Sequence, residues 1–86
     1  MARYSIEVTR SARKELERLP SADLKRVLAR IEALAENPRP PESRKLCAQE
    51  RYRLRQGDYR ILYTIDDAII TIVVVRIAHR RDVYRR

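Results

Sequence analysis

Eighty-six residues, twenty of them Lys or Arg and twelve Asp or Glu, make one domain (1–86) with one core and a formal charge of +8. A hydrophobic share of 44% excludes wholesale disorder, while one Cys (Cys47) and one His exclude an internal disulfide or a closed Cys/His zinc site built from this chain alone. The longest near-apolar run, Ala68 to Val75, is too short to span a membrane and the N-terminus carries no secretory leader, which leaves a small, reduced, cytoplasmic protein with an anionic partner.

Tyr4 to Thr9 alternates apolar and polar residues, the period of a half-buried strand. Thr9 or Ser11 can cap a short helix running to about Leu19, with Ala12, Leu16 and Leu19 on one side. Pro20 interrupts the chain, and Ser21 is placed to cap a second helix with Asp23 in its first turn. Leu24, Val27, Leu28, Ile31, Leu34 and Ala35 form its apolar stripe. Asn37-Pro38-Arg39-Pro40-Pro41 ends that helix in a stiff, extended connector.

Beyond the prolines the period becomes two. Glu50 to Gln56 puts Tyr52 and Leu54 on one face and Arg51, Arg53 and Arg55 on the other. Gln56-Gly57-Asp58 is a turn in which the single glycine supplies a positive φ. The return strand, Tyr59 to Ile65, carries Tyr59, Ile61, Tyr63 and Ile65 on one face and Arg60, Leu62 and Thr64 on the other. Asp66-Asp67 turns again into Ile69 to Ile77, apolar on nearly both faces and so expected inside the sheet. The tail from His79 to Arg86 is polar and too short for a stable helix of its own. The order β-α-α-β-β-β segregates helices from strands and predicts an α+β fold, two antiparallel helices on one face of a small, mainly antiparallel sheet.

That arrangement leaves Arg51, Arg53, Arg55 and Arg60 on the open face. All nine basic residues after position 50 are Arg, whereas the three Lys lie before it. Arginine binds phosphate bidentately and keeps its charge. Like charges side by side on a sheet repel, and a phosphate-rich ligand resolves the repulsion. Tyr52, Tyr59 and Tyr63 share the parity of the apolar residues and are read as packing residues. Cys47 is read as a plain thiol.

The stretch Arg51-Tyr52-Arg53-Leu54-Arg55-Gln56-Gly57-Asp58-Tyr59-Arg60-Ile61-Leu62-Tyr63, followed by Ile77-Ala78-His79-Arg80-Arg81-Asp82-Val83-Tyr84, resembles the RelE/ParE family of toxin–antitoxin toxins over essentially the whole chain. The resemblance implies a RelE-like fold and a metal-independent, cofactor-free endoribonuclease that enters the ribosomal A site. It cuts messenger RNA by attack of a 2′-hydroxyl, leaving a 2′,3′-cyclic phosphate. Matched residue by residue, Arg60 and Arg80 take the phosphate-stabilising and leaving-group positions, and Tyr84 takes that of the terminal aromatic. Arg51 and Arg53 fall where RelE-type enzymes often have lysines, and they join Arg55 and Arg81 as phosphate-binding residues. An arginine cannot readily accept the 2′-hydroxyl proton, which leaves Tyr84 or His79 as the base.

The same family contains ParE-type toxins that poison DNA gyrase and cleave nothing, and this is the rival expectation. A non-catalytic RNA-binding module comes third, because it would need exposed stacking aromatics. Either toxin reading implies a cognate protein antitoxin that covers the helices and the basic face. The nuclease reading adds the ribosome and messenger RNA as partners, with no membrane and no small-molecule cofactor.

Overall fold

The computed structural model describes residues 3–46 and 51–79. The chain runs β1 (Ser5–Val8), α1 (Arg10–Glu17), α2 (Ser21–Leu34), β2 (Arg44–Lys45), β3 (Tyr52–Gln56), β4 (Tyr59–Asp66) and β5 (Thr71–His79). The expected α+β order is present with one addition. The strand β2 is two residues long, too short for any period to be read. All strands join one sheet in the order β1-β5-β4-β3-β2. The β1–β5 pair is parallel and the others antiparallel. The apolar strand expected at Ile69 to Ile77, β5, therefore lies inside the sheet, as its two-faced apolarity requires.

Thr9 is the residue that caps α1. Its hydroxyl accepts from Ala12 N at 3.1 Å and donates to Val75 O at 3.1 Å, so one side chain both starts the helix and fastens it to β5. The second cap differs from expectation: Pro20 occupies the N-cap, and Ser21 is the first helical residue without a capping bond. Proline suits a helix start because its φ is preset and its missing N–H has no helical partner there. Along α2 the buried stripe is Val27, Ile31 and Leu34, continued by Ala35 just past its end. Leu28 is 43% exposed and falls outside it.

One hydrophobic cluster unites α1 (Ala12, Leu16), α2 (Val27, Ile31, Leu34) and the inward residues of the sheet: Leu54, Ile61, Tyr63, Ile72, Val74 and Ile77. Both helices therefore cover the same face. Tyr63 is fully buried, and its hydroxyl donates to Pro38 O at 2.8 Å. Tyr52 and Tyr59 pack against the cluster as their parity predicts. A bulge leaves Val75 between the pairs Leu62–Arg76 and Tyr63–Val74. Beyond Val8, where β1 stops, α1 takes over the edge of β5. The Glu15 carboxylate accepts from Ile77 N at 2.7 Å and pairs with Arg76 at 3.2 Å.

Two strand starts depart from expectation. Glu50 lies outside the described residues, and β3 begins at Tyr52. Ile69 and Ile70 belong to the β4–β5 turn, 67% and 38% exposed, with Ile70 at φ 50°. Hydrophobicity alone does not distinguish a turn isoleucine from a strand one. Gly57 adopts φ 60° in the β3–β4 turn, where a Cβ would meet nothing within 4 Å. Gly57→Ala should therefore destabilise the fold by about 1–2 kcal/mol through backbone strain alone, and Gly57→Asn by distinctly less. Urea unfolding of the two variants checks this, and equal losses would refute a left-handed turn.

Candidate functional site

Leu54 and Ile61 are opposite each other in the core. Alternation then sends Arg53, Arg55 and Arg60 to the face away from the helices. The strand register turns this into a definite pattern. Arg55 stands directly opposite Arg60, and Arg44 directly opposite Arg53. Two like-charge cross-strand pairs lie side by side, each unfavourable without a counter-charge. A groove of about 490 Å³ is lined by Glu42, Arg44, Arg53 and Arg55. Among the described residues, Arg44, Arg53 and Arg55 form no ion pair.

The sequence candidates are placed unequally. Arg55 is exposed and Arg53 half-buried, while Arg51 is exposed immediately before β3. Arg60 departs from the open-surface expectation, being only 6% exposed. Its strand is flanked on both sides, with Arg55 on β3 and Ala78 on β5 at the same level. An outward position on an interior strand is covered by its neighbours in a way that an edge position is not. Arg80, Arg81, Tyr84 and Cys47 lie outside the described residues.

His79 does not join the arginines. It pairs with Tyr59 across the β4–β5 ladder, one residue out of phase with Arg60, and so projects to the helix side. Its ring meets Tyr59 edge-on at 5.2 Å, in a cleft of about 250 Å³ that Asp23 and Asp58 also line. His79, a candidate base, therefore does not share a face with Arg53, Arg55 and Arg60: the residue is one position too far along β5 for that. The Tyr59 hydroxyl donates to Asp23 at 3.1 Å, and burial followed by this bond holds its phenol above the ordinary value.

Two groove residues escaped sequence reasoning. Arg44 sits on the two-residue β2, and Glu42 closes the proline connector, where no periodicity exists to assign a face. Glu42 also approaches Arg30 of α2 at 3.8 Å. The connector is fastened to the sheet at Arg39. Its guanidinium grips Asp67 at 2.9 and 3.4 Å and donates through Nε to the Tyr52 hydroxyl at 3.1 Å. It also lies 5.5 Å from the centre of the Tyr52 ring, which stacks on Tyr63. Tyr4 donates to the same Asp67 at 2.6 Å. The bonds from Arg39 and then Tyr4 lower the Asp67 carboxyl below its ordinary range, and Asp67 in turn raises the Tyr4 phenol.

Comparison with known proteins identifies this assembly. Residues 6–84 match the family described as the ParE toxin of the type II toxin–antitoxin system parDE. The toxin RelG of Mycobacterium tuberculosis is 36% identical, over 96% of this chain and 98% of its own. The chain belongs to the RelE/ParE family of type II toxins. The toxin RelE of the same organism is 32% identical over 95% of this chain and 87% of its own. Among solved structures, the RelBE2 toxin–antitoxin complex of M. tuberculosis superposes with a TM-score of 0.83 at 32% identity, covering 93% of this chain and 94% of that one. The archaeal RelE–RelB complex of Pyrococcus horikoshii gives 0.82 at 28% identity, covering 96% and 98%. These confirm the RelE-like α+β fold.

Folding lowers the Asp67 carboxyl, so its interactions are at full strength above the unfolded value of about 3.9 and fail as pH falls through the lower folded value. Arg39 and Asp67 are 46% and 57% exposed, which confines the effect to the connector rather than the whole fold. Amide exchange of the connector should accelerate on acidification below about pH 4 relative to that of β4, and Asp67→Asn should abolish the difference. An unaltered acid response in that variant would remove Asp67 as its origin.

Proposed function

We propose that the chain is the toxin of a toxin–antitoxin pair and acts as a ribosome-dependent, metal-independent endoribonuclease on messenger RNA in the A site. The observation that carries this reading is the double arginine pair, Arg55 opposite Arg60 and Arg44 opposite Arg53. Such an array is poorly suited to a sheet surface that binds nothing. It is well suited to successive phosphates of a polyanion. Kinship with toxins named RelG and RelE supports the nuclease within that class.

The reaction forms a bond from the 2′-oxygen to phosphorus and breaks the bond to the 5′-oxygen. The products are a 2′,3′-cyclic phosphate and a 5′-hydroxyl. One group must take the 2′-hydroxyl proton, another must protonate the leaving oxygen, and fixed positive charge must meet the phosphorane. Arg60 and Arg80 are assigned the charge on the phosphorane and on the departing 5′-oxygen, which takes its proton from water. Arg60 is buried, so its charge acts through less water than that of a surface arginine. Arg51, Arg53, Arg55 and Arg81 hold the flanking backbone. With His79 on the other side of the sheet, the base is Tyr84 or Glu42. Glu42 is the acidic residue among those lining the groove, its carboxylate 3.8 Å from Arg30, and a carboxylate, unlike arginine, accepts a proton.

A cognate antitoxin belongs to this reading, together with a cytoplasmic setting. The RelBE2 and archaeal RelE–RelB structures are toxin–antitoxin complexes. An acidic antitoxin segment would occupy the groove in place of RNA. The second reading is a gyrase inhibitor that cleaves nothing, favoured by the match to a family described for ParE. Primer-extension mapping of transcripts after brief expression separates the two. Cuts that require translation support the nuclease; intact transcripts with gyrase-dependent DNA breaks support the rival.

Arg53→Ala and Arg55→Ala should each reduce the salt dependence of RNA or ribosome binding by about 0.7–0.9 of a slope unit, with folding preserved. An unchanged slope would make these residues mere surface charge. Glu42→Gln and Tyr84→Phe distinguish the two bases. The true base should lose about 10²–10⁴ in single-turnover cleavage while ribosome affinity stays within a few-fold. Near wild-type rates in both variants would leave catalysis to arginine charge and positioning.

A further inference from the structure

The segment carrying Glu42 contains three prolines in four positions, Pro38, Pro40 and Pro41. Few backbone torsions remain to be fixed, so a few bonds suffice to fix them. Pro38 O receives the Tyr63 hydroxyl at 2.8 Å. Arg39 is held by Asp67 and Tyr52. Pro40 O receives both the backbone N–H and the hydroxyl of Ser43, at 2.9 and 2.8 Å. Arg44 is then paired into the sheet opposite Arg53. Glu42 thus lies between an upstream anchor at Arg39 and a downstream one at Arg44, and neither Arg39 nor Asp67 lines the groove.

We propose that Arg39 and Asp67 are positioning residues, whose ion pair holds the Pro40–Ser43 turn so that Glu42, whose carboxylate also approaches Arg30 at 3.8 Å, stays at the edge of the arginine groove. This rests on the nuclease reading, with Glu42 as the base. The geometry supports it in three respects. The pair is bidentate, it joins the connector to the distant β4–β5 turn, and Tyr4, just before β1, and Tyr52 on β3 bond its two members. An exposed ion pair contributes little to global stability, yet it can decide where a tethered segment sits. Displacing a catalytic group by about an ångström is enough to slow a reaction severely.

The test is a double-mutant cycle in single-turnover cleavage at saturating ribosome. Arg39→Gln and Asp67→Asn should each slow cleavage on the order of tenfold to a hundredfold while leaving ribosome affinity and its salt slope unchanged. Arg39→Lys, which keeps the charge but loses the fork, should recover part of the rate and serves as the folded control. In a Glu42→Gln background, Arg39→Gln should produce no further loss. An equal loss with and without Glu42, or no loss at all, overturns the proposal. A second readout does not depend on activity. In the protein alone, Arg39→Gln should shift the Glu42 side-chain carbon and the Ser43 and Arg44 amide resonances while those of β4 and β5 hold. Static resonances refute the positioning role. If they move while the wild-type protein cleaves nothing, the clamp stands and the nuclease reading fails.

Discussion

Everything distinctive about this molecule follows from side-chain alternation along β3 and β4. Once Leu54, Ile61 and Tyr63 are committed to the core beneath the helices, Arg53, Arg55 and Arg60 have nowhere else to point. A slip of one residue would turn three guanidinium groups toward the helices and three core side chains away from them, so the register is strongly held. The basic face is therefore fixed by the same burial that stabilises the fold. Its geometry does not need to be organised by a ligand when one arrives.

The parts of the fold legible in the sequence were those with a period. The hairpin β3–β4 could be read from alternation and a single glycine, and α2 from its stripe. The sheet position of β5 followed from apolarity on both faces. What escaped reading lacked a period or depended on neighbours. Two residues cannot display alternation, so β2 and its Arg44 were invisible, and Glu42 on a proline connector had no face to be assigned to. Arg60 was placed on the correct side but not at the correct depth, because burial depends on which strands flank β4. His79 is a base candidate by residue type, and residue type does not say which face of β5 it occupies. The pleat puts it with Tyr59.

The groove also shows how the fold separates two electrostatic tasks. Elsewhere, several arginines are paired within the chain: Arg3 with Glu36, Arg39 with Asp67 and Arg76 with Glu15. These pairs tie β1, the connector and β5 to their surroundings. Arg44, Arg53 and Arg55 are not so paired among the described residues, although Glu42 is near. The chain is not short of carboxylates, with twelve available. Their distribution leaves the groove among the places with unpaired positive charge, which is what steering and holding a polyanion requires.

On the nuclease reading, building the charge from arginine alone has a chemical consequence. A lysine in such a groove can serve both as a cation and, deprotonated, as a base, and the two roles conflict because each proton removed weakens the hold on phosphate. Arginine removes the conflict by never titrating in the working range. Proton transfer must then come from groups of a different kind, placed at the margin of the charged field rather than within it. The structure provides one such margin, the proline connector, where Glu42 reaches the groove from outside the sheet. Charge is held by rigid strands and proton chemistry by a tethered segment. If Glu42 is the base, the precision of that tether, rather than the number of arginines, sets the rate once RNA is bound.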